Sequence, residues 1–265
     1  MTSRATLGIW LVCVALTLLV FGLWPRLDLV VSGLFHDAQR GFWMADLRVI
    51  ETTRQVLWNG GELLVLLSLF GLIVARAINR PALWLPARVW AFVLLLFVTG
   101  PGVAVNLVLK EFWGRARPAR VVELGGDRLF TGPFLPTDQC ASNCSFVSGE
   151  AASAMALGIA LFVILRHLRP RLTVRVWRAG VLVALLLPPA GAALRVLAGR
   201  HFLSDVICAG LIVAGLALLL DRVILSGKPL SMPRFRRAAT REITAADAAD
   251  PVLTSPATPP IRRHT

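Results

Sequence analysis

Long apolar runs with at most one charged residue each constrain the fold of this chain more than any other feature of its sequence. The first run extends from Ala5 to Pro25, and at about 1.5 Å per helical residue it can cross the roughly 30 Å apolar core of a bilayer. Five more runs follow, at about residues 56–75, 89–109, 147–165, 179–194 and 206–220. Because 56% of the residues are hydrophobic and only 16% are charged, the composition excludes an ordinary soluble domain. The sequence predicts an all-α fold, a polytopic membrane bundle of about six transmembrane helices.

The apolar pattern divides the chain into two parts. Residues 1–226 hold all of the predicted spans and are expected to form one membrane domain. Residues 227–265 are polar, basic and rich in proline, a composition typical of a disordered tail.

The charge distribution indicates how the bundle lies in the membrane. A formal net charge of +13 would suggest nucleic acid in a soluble protein, but here many arginines lie at the ends of apolar runs. We therefore expect a lipid bilayer, and not nucleic acid, as the partner. With six spans, the basic segments 76–88 and 166–178 fall on the same side as both termini. The positive-inside rule places that side, including the tail, in the cytoplasm.

The same topology brings the chemically interesting residues together on the opposite, extracytoplasmic face. They lie at the end of span three (Lys110), the start of span four (residues 148–150), the end of span five (Arg195) and the start of span six (His201 and Asp205). We interpret this convergence as a candidate active site.

Spacing within the segment 195–205 predicts a break in its helix. His201 and Asp205 are four residues apart, so on a helix they share a face and the carboxylate can fix the imidazole tautomer. Arg195 is six residues from His201, about 240° around a helix, so the chain should break between them, at Gly199. An ordinary positively charged turn between two helices is the alternative.

The cations of this face suggest an anionic ligand. Lys110 and Arg117 are two helical turns apart and point the same way if span three continues to Pro118. With Arg195 they form a set of three positive charges, which repel each other unless an anion lies between them.

The start of span four suggests that this anion is a phosphoryl group. Ser148 and Gly149 lie just before the helix, where free backbone N–H groups favour phosphate. The sequence contains neither a metal-ligand cluster nor a P-loop, so no metal or cofactor is expected. His201 is then free to act as a nucleophile toward phosphorus.

These residues resemble the three-part signature of the type 2 phosphatidic acid phosphatase superfamily. The three blocks are Lys110-x6-Arg117-Pro118, Ser148-Gly149 and Arg195-x5-His201-x3-Asp205, and the resemblance covers residues 56–224. It implies a helical-bundle membrane enzyme that hydrolyses a lipid phosphate without metal.

The resemblance also implies a role for each site residue. His201 would form a phosphohistidine and Asp205 would orient it. The phosphate would be held by Lys110, Arg117, Ser148, Gly149 and Arg195.

One position departs from the family pattern. The middle block usually reads Pro-Ser-Gly-His, with the histidine protonating the leaving alkoxide, whereas this chain has Val147-Ser148-Gly149-Glu150. Glu150 is expected to replace that histidine as general acid if burial keeps it protonated. The alternative is a carboxylate at the helix N-terminus with no catalytic part.

The amino-acid sequence around the middle block is similar to that of bacterial lipid phosphatases of the lipid A type. This similarity implies an enzyme of the bacterial inner membrane whose site faces the periplasm. Undecaprenyl diphosphate and phosphatidylglycerophosphate are alternative substrates. Transfer of the phosphoryl group to a lipid acceptor is an alternative reaction, and a non-catalytic phospholipid binder or transporter is a further alternative class.

Cys140 and Cys144 lie in the loop between spans three and four, on the predicted extracytoplasmic side. Oxidation is favoured there, so the two residues are expected to pair as a disulfide or else to remain two free thiols.

Overall fold

The computed structural model describes residues 4–226 as a bundle of α-helices. Their bounds are α1 Arg4–Leu23, α2 Leu27–Gly33, α3 Arg48–Ala77, α4 Ala87–Phe112, α5 Gly149–Leu168, α6 Val174–Leu197 and α7 Leu203–Leu220. Every one except the short α2 belongs to one of six helical segments long and apolar enough to cross a membrane. The predicted all-α polytopic bundle is therefore confirmed, while the predicted disordered tail, 227–265, lies outside the described residues.

Helix α3 begins well before the apolar run that predicted it. The run starts at about Val56, whereas the helix starts at Arg48 and includes a polar first part with Glu51 and Arg54. Hydropathy detects only the section that would lie in the bilayer core. The extra turns carry charged side chains to the end of the bundle where the candidate site lies.

Helix α4 is irregular and ends shortly after the predicted run of residues 89–109. Its section Val98–Leu109 forms wider π-helical turns around Pro101, which has no N–H for the regular helical hydrogen bond. The helix ends at Phe112, and the chain then turns at Gly114, where φ is +71° and an added Cβ would overlap the Thr137 backbone. The condition under which Lys110 and Arg117 would point the same way, a helix that continues to Pro118, is therefore not met.

Helix α5 packs very closely against α6 through small residues. A Cβ at Gly158 would lie 2.6 Å from the Ala184 carbonyl oxygen, and one at Gly191 would lie 2.4 Å from the Ala154 Cβ. Small residues of this kind allow helix backbones to approach within a membrane, where packing replaces the hydrophobic effect. Helix α5 also contacts α3, α4 and α7, so it forms the centre of the bundle.

Candidate active site

Backbone hydrogen bonds join the segments that were predicted to converge. The Cys144 N–H donates to the Lys110 carbonyl at 3.0 Å, and the Ser148 N–H donates to the Asp205 carbonyl at 3.3 Å. The end of α4 and the starts of α5 and α7 are therefore held together at one end of the bundle.

The turn between α6 and α7 carries the candidate nucleophile. Helix α6 ends at Leu197, Gly199 has φ of +61°, and α7 begins at Leu203. A Cβ at Gly199 would lie 2.3 Å from the Phe42 ring, so this position needs glycine for both its backbone angle and its space. The predicted break at Gly199 is confirmed, and His201 lies in the turn and not on a helix.

A backbone carbonyl, and not the predicted carboxylate, is the nearest acceptor for His201. Its Nδ1 lies 2.7 Å from the Ser145 carbonyl oxygen and 3.8 Å from Asp205 Oδ2. Since a carbonyl oxygen only accepts, Nδ1 carries the proton and Nε2 keeps its lone pair. The expectation of a shared helical face was wrong, because His201 precedes α7.

Burial keeps the His201 imidazole neutral. The residue is only 2% exposed. Burial lowers the pKa of His201, and the charges of Arg195 and Arg117 lower it further, against the opposing effect of Asp205. A neutral imidazole with a free Nε2 lone pair is the form that can attack phosphorus.

Asp205 acts on His201 through the neighbouring loop. Its carboxylate accepts hydrogen bonds from Ser145 Oγ at 2.5 Å, from the Phe202 N–H at 2.9 Å and from Arg115 Nη1 at 2.5 Å. The carboxylate therefore fixes Ser145, whose carbonyl in turn holds the imidazole, and it caps the first turn of α7. This arrangement orients His201 indirectly.

A buried ion-pair network behind His201 was not predicted from the sequence. Arg115 is fully buried and bridges two carboxylates, Asp205 on α7 and Asp28 on α2, with Nη2 lying 2.8 Å from Asp28 Oδ2. Asp28 also accepts the Ser204 N–H at 2.8 Å. Burial raises the pKa of Asp28, while Arg115 opposes this effect. A lone aspartate in the apolar stretch Leu27–Val31 was the sequence signal for this network.

Glu150 forms ion pairs with two arginines. Its Oε2 lies 2.7 Å from Arg195 Nε, and its Oε1 lies 3.2 Å from Arg54 Nη1. Arg54, on α3, also pairs with Glu51 and was not predicted as part of the site. These two ion pairs fit the alternative of a carboxylate near the helix N-terminus that contacts neighbouring cations and has no catalytic part.

Two of the predicted phosphate-binding cations, Arg117 and Arg195, line a cavity of about 200 Å³. Four arginines line it, two of them predicted and two not: Arg54, Arg117, Arg195 and Arg200. Burial and the charge of Arg200 lower the pKa of Arg117, but a guanidinium keeps its proton in proteins. Lys110 lies within electrostatic range of Arg117 and Arg195. This concentration of positive charge suits a phosphoryl group.

The N-terminus of α5 lies at the same end of the bundle. Ser148 is fully buried and its Oγ accepts the Ala151 N–H at 3.3 Å, which makes it the N-cap of the helix. Gly149 follows as the first helical residue. The early N–H groups of a helix favour an anion, as the sequence had indicated.

Cys140 and Cys144 are joined by a disulfide, with their Cα atoms 5.7 Å apart. The bond closes a small loop just before α5, next to the hydrogen bond between Cys144 and Lys110. Within residues 4–226, no group of three or more histidine, cysteine, aspartate or glutamate side chains is placed to hold a metal ion.

Fold and site together define a helical-bundle membrane protein with a buried histidine beside a cationic anion pocket. Residues 88–225, more than half of the chain, match the model of the PAP2 superfamily, the type 2 phosphatidic acid phosphatase superfamily. The chain belongs to this superfamily. No solved structure matches it.

Three curated relatives of this chain are each named lipid A 4'-phosphatase. The protein from Francisella tularensis subsp. novicida is 37% identical over 123 residues, which is 46% of this chain and 52% of the relative. The protein from Rhizobium etli is 42% identical over 107 residues, 40% of this chain and 38% of the relative. The Rhizobium leguminosarum protein is 43% identical over 109 residues, covering 41% and 43% of the two chains. The matched part thus spans about half the length of these relatives or less.

Proposed function

We propose that the protein is an integral-membrane phosphatase that hydrolyses a lipid phosphate monoester of the lipid A type. The observation that carries this proposal is the neutral His201 imidazole beside a pocket lined by arginines. Its Nδ1–H donates a hydrogen bond to the Ser145 carbonyl oxygen. The name shared by the curated relatives supports the choice of lipid.

In the proposed reaction, Nε2 of His201 attacks phosphorus and the bond from phosphorus to the lipid oxygen breaks. The lipid leaves as an alkoxide that takes a proton, and a phosphohistidine remains. Water then attacks the phosphohistidine, releases inorganic phosphate and restores the neutral imidazole. Lys110, Arg117 and Arg195 would neutralise the charge that develops on the phosphoryl oxygens, so the reaction would need no metal.

Glu150 has a different role in this proposal from the one that the family pattern suggested. Its carboxylate forms an ion pair with the Arg195 guanidinium on the Nε side, and the two terminal nitrogens of that guanidinium would bind the phosphate. Water is then the proposed proton source for the departing alkoxide. The prediction that Glu150 is the general acid remains the competing hypothesis.

The proposed location is the bacterial inner membrane, with the site facing the periplasm and both termini in the cytoplasm. The basic turn Arg169–Arg171 supports this orientation, because it joins α5 and α6 at their ends remote from Ser148 and Arg195.

A panel of purified lipids tests the proposed function. The protein in detergent with a chelator would be given a lipid A-type monophosphate, phosphatidic acid, phosphatidylglycerophosphate and undecaprenyl diphosphate, and inorganic phosphate would be measured. We expect the lipid A-type substrate to be hydrolysed fastest. Absence of phosphate release from every lipid, or activity that requires added Mg²⁺, would contradict the proposal.

Phosphoryl transfer to a lipid acceptor shares the same covalent step and is the second candidate reaction. Product analysis with and without an acceptor lipid separates the two. Hydrolysis yields inorganic phosphate in both cases, whereas a transferase yields a newly phosphorylated lipid and little free phosphate.

A further inference from the structure

The disulfide loop, residues 140–144, contacts one of the cations of the candidate site. The bond between Cys140 and Cys144 joins positions four apart, so the three residues between them lie in a small closed loop. Nη2 of Arg117 donates to the Asn143 carbonyl oxygen at 2.9 Å and lies 3.2 Å from the Asn143 side-chain oxygen. One residue of the disulfide loop therefore holds this guanidinium with two oxygen atoms.

No helix sets the direction of Arg117. Helix α4 ends at Phe112, and Arg117 lies in the irregular segment that follows, with an extended backbone. Its side chain nevertheless lines the cavity of arginines that is proposed to hold the phosphoryl group. A guanidinium is planar and its donors form a fixed fork, so contacts to one terminal nitrogen restrict the plane that it presents to an anion. The contacts with Asn143 thus orient this cation.

The backbone of Asn143 suits these contacts. Its φ is +49°, in the left-handed region, and in this conformation its carbonyl and its side-chain oxygen reach the same guanidinium nitrogen. Asparagine is one of the few residues besides glycine that adopt this conformation readily. The residue is exposed, so packing does not hold it in place. The short disulfide-closed loop restricts its backbone instead.

The carboxyl end of the disulfide loop is joined to the nucleophile. The Cys144 N–H donates to the Lys110 carbonyl at 3.0 Å, and the next residue, Ser145, donates its N–H to the Arg115 carbonyl at 2.9 Å. The Ser145 carbonyl oxygen is the acceptor for His201 Nδ1. A single short segment therefore connects the anion pocket with the imidazole that is proposed to attack phosphorus.

We propose that Asn143 is a positioning residue for Arg117 and that the disulfide between Cys140 and Cys144 keeps it in place, so that full activity requires the oxidised loop. Reduction by a dithiol would break the S–S bond. Each cysteine sulfur gains one electron and one proton, and the dithiol becomes a cyclic disulfide. This inference rests on the proposed function and adds to it a positioning residue and a dependence on redox state.

Asn143→Gly tests the positioning residue. Glycine adopts a φ of +49° without strain, so this change removes only the side-chain acceptor. Asn79→Gly is the matched control, because Asn79 is exposed, has a φ of +51° and follows the end of α3 that is remote from Arg54. We expect Asn143→Gly to lower kcat/KM about 5-fold on alkyl and aryl phosphates alike, and the control to change it less than about 2-fold.

Two readouts separate positioning from a general loss of stability. Burial lowers the pKa of His201, and the charges of Arg195 and Arg117 lower it further, against the effect of Asp205. If Asn143→Gly lets Arg117 move away from His201, the acid limb of kcat/KM should shift to higher pH. In an Arg117→Ala background, Asn143→Gly should change kcat/KM less than about 2-fold. A full further loss in that background, or an unmoved acid limb, would overturn the inference.

Reduction tests the disulfide without a mutation. Cys140 is half-buried, so a soluble reductant can reach the bond, whereas Cys144 has no exposure. We expect dithiothreitol to lower kcat/KM of the wild-type protein about 10-fold and reoxidation to restore it. Cys140→Ala is the control, because it should have the lower activity with and without reductant. Full wild-type activity after complete reduction, verified by counting free thiols, would overturn the inference.

A binding measurement separates this inference from the proposed function. Inorganic phosphate would be titrated by calorimetry into oxidised wild-type protein, reduced wild-type protein and Asn143→Gly. Weaker phosphate binding to the reduced protein and to the variant would support the positioning of Arg117 even if no lipid were hydrolysed. Equal phosphate affinity of all three would overturn it even if phosphate release from lipids were observed.

Discussion

The imidazole of His201 is held by the Ser145 carbonyl, 2.7 Å away, and the residue itself is buried. Burial and the nearby guanidinium groups both favour the neutral ring. On the proposed mechanism, the protonation state of His201 controls the reaction rate, because only the neutral ring can attack phosphorus.

The pH dependence of kcat/KM tests this electrostatic setting. Since the pKa of His201 is lowered from 6.5, the imidazole is neutral and nucleophilic at neutral pH. It becomes protonated, and can no longer attack, only as the pH falls below about 6.5. We expect the acid limb of the profile below that value. Substrates whose phosphates have different pKa values provide the control, because a midpoint set by His201 stays constant among them. A constant midpoint above pH 7 would contradict this setting.

Glu150→Gln distinguishes the two roles of Glu150. If the carboxylate positions Arg195, the change should slow alkyl and aryl phosphates to a similar degree, by about 10-fold, as expected for weakening one charge-assisted contact. If Glu150 is the general acid, only the alkyl phosphate should slow greatly, by roughly 10²–10⁴, because an aryl leaving group needs no proton. Arg54→Gln is the companion variant, since it removes one of the two ion pairs of Glu150 and leaves its carboxyl group in place.

Sequence spacing located the principal residues of the candidate site but not their partners. His201, Asp205, Arg195 and Glu150 were singled out because polar and charged side chains at the ends of apolar runs are conspicuous. Their partners are remote in the chain, with Arg54 and Glu150 lying 96 positions apart. Periodicity reports only local neighbours, so such a pair becomes visible only when the helices are packed.

At the scale of the elements, the short helix α2 is tied to α7 by buried polar contacts. Asp28 has no solvent exposure and accepts hydrogen bonds from Arg115 and from both the backbone and the hydroxyl of Ser204. Arg115 continues this connection to Asp205. Loss of the Asp28 charge would leave the Arg115 guanidinium only partly compensated in a buried position.

Asp28→Asn should therefore destabilise the protein. We expect the free energy of unfolding in detergent to fall by about 3 kcal/mol, the lower end of the cost of breaking a buried pair. Asp46→Asn, at an exposed aspartate near the start of α3, is the control and should change it by less than about 0.5 kcal/mol. Equal stability of the two variants would show that the network contributes little.

Helix ends were harder to predict than helices. Each predicted span was found, because a run of about 20 apolar residues has few alternatives to a helix. Whether α4 continues to Pro118 could not be predicted from the sequence, because its stop depends on Gly114, whose close contact with Thr137 is a tertiary feature. The break at Gly199 was predictable because two site residues that had to converge, Arg195 and His201, were spaced incompatibly with one helix.

At the scale of the whole molecule, the six membrane-length helices found within residues 4–226 place the basic turn Arg169–Arg171 at the opposite end of α5 and α6 from the site. Reporter fusions test the proposed orientation independently of the chemistry. A fusion after Arg171 should report the cytoplasm, and one in the loop near Gly126 should report the periplasm. The reverse pattern would place the site on the cytoplasmic side and change the leaflet from which its lipids are drawn.

Trapping of the covalent intermediate tests the central claim most directly. Wild-type protein and His201→Ala would each be mixed with a lipid carrying a radiolabelled phosphate, in the presence of a chelator, and quenched in alkali. The proposed mechanism predicts label on the wild-type protein that survives alkali, is lost in acid and is absent from His201→Ala. Label of the same stability and amount on His201→Ala would contradict attack by His201, as would phosphate release by that variant at the wild-type rate.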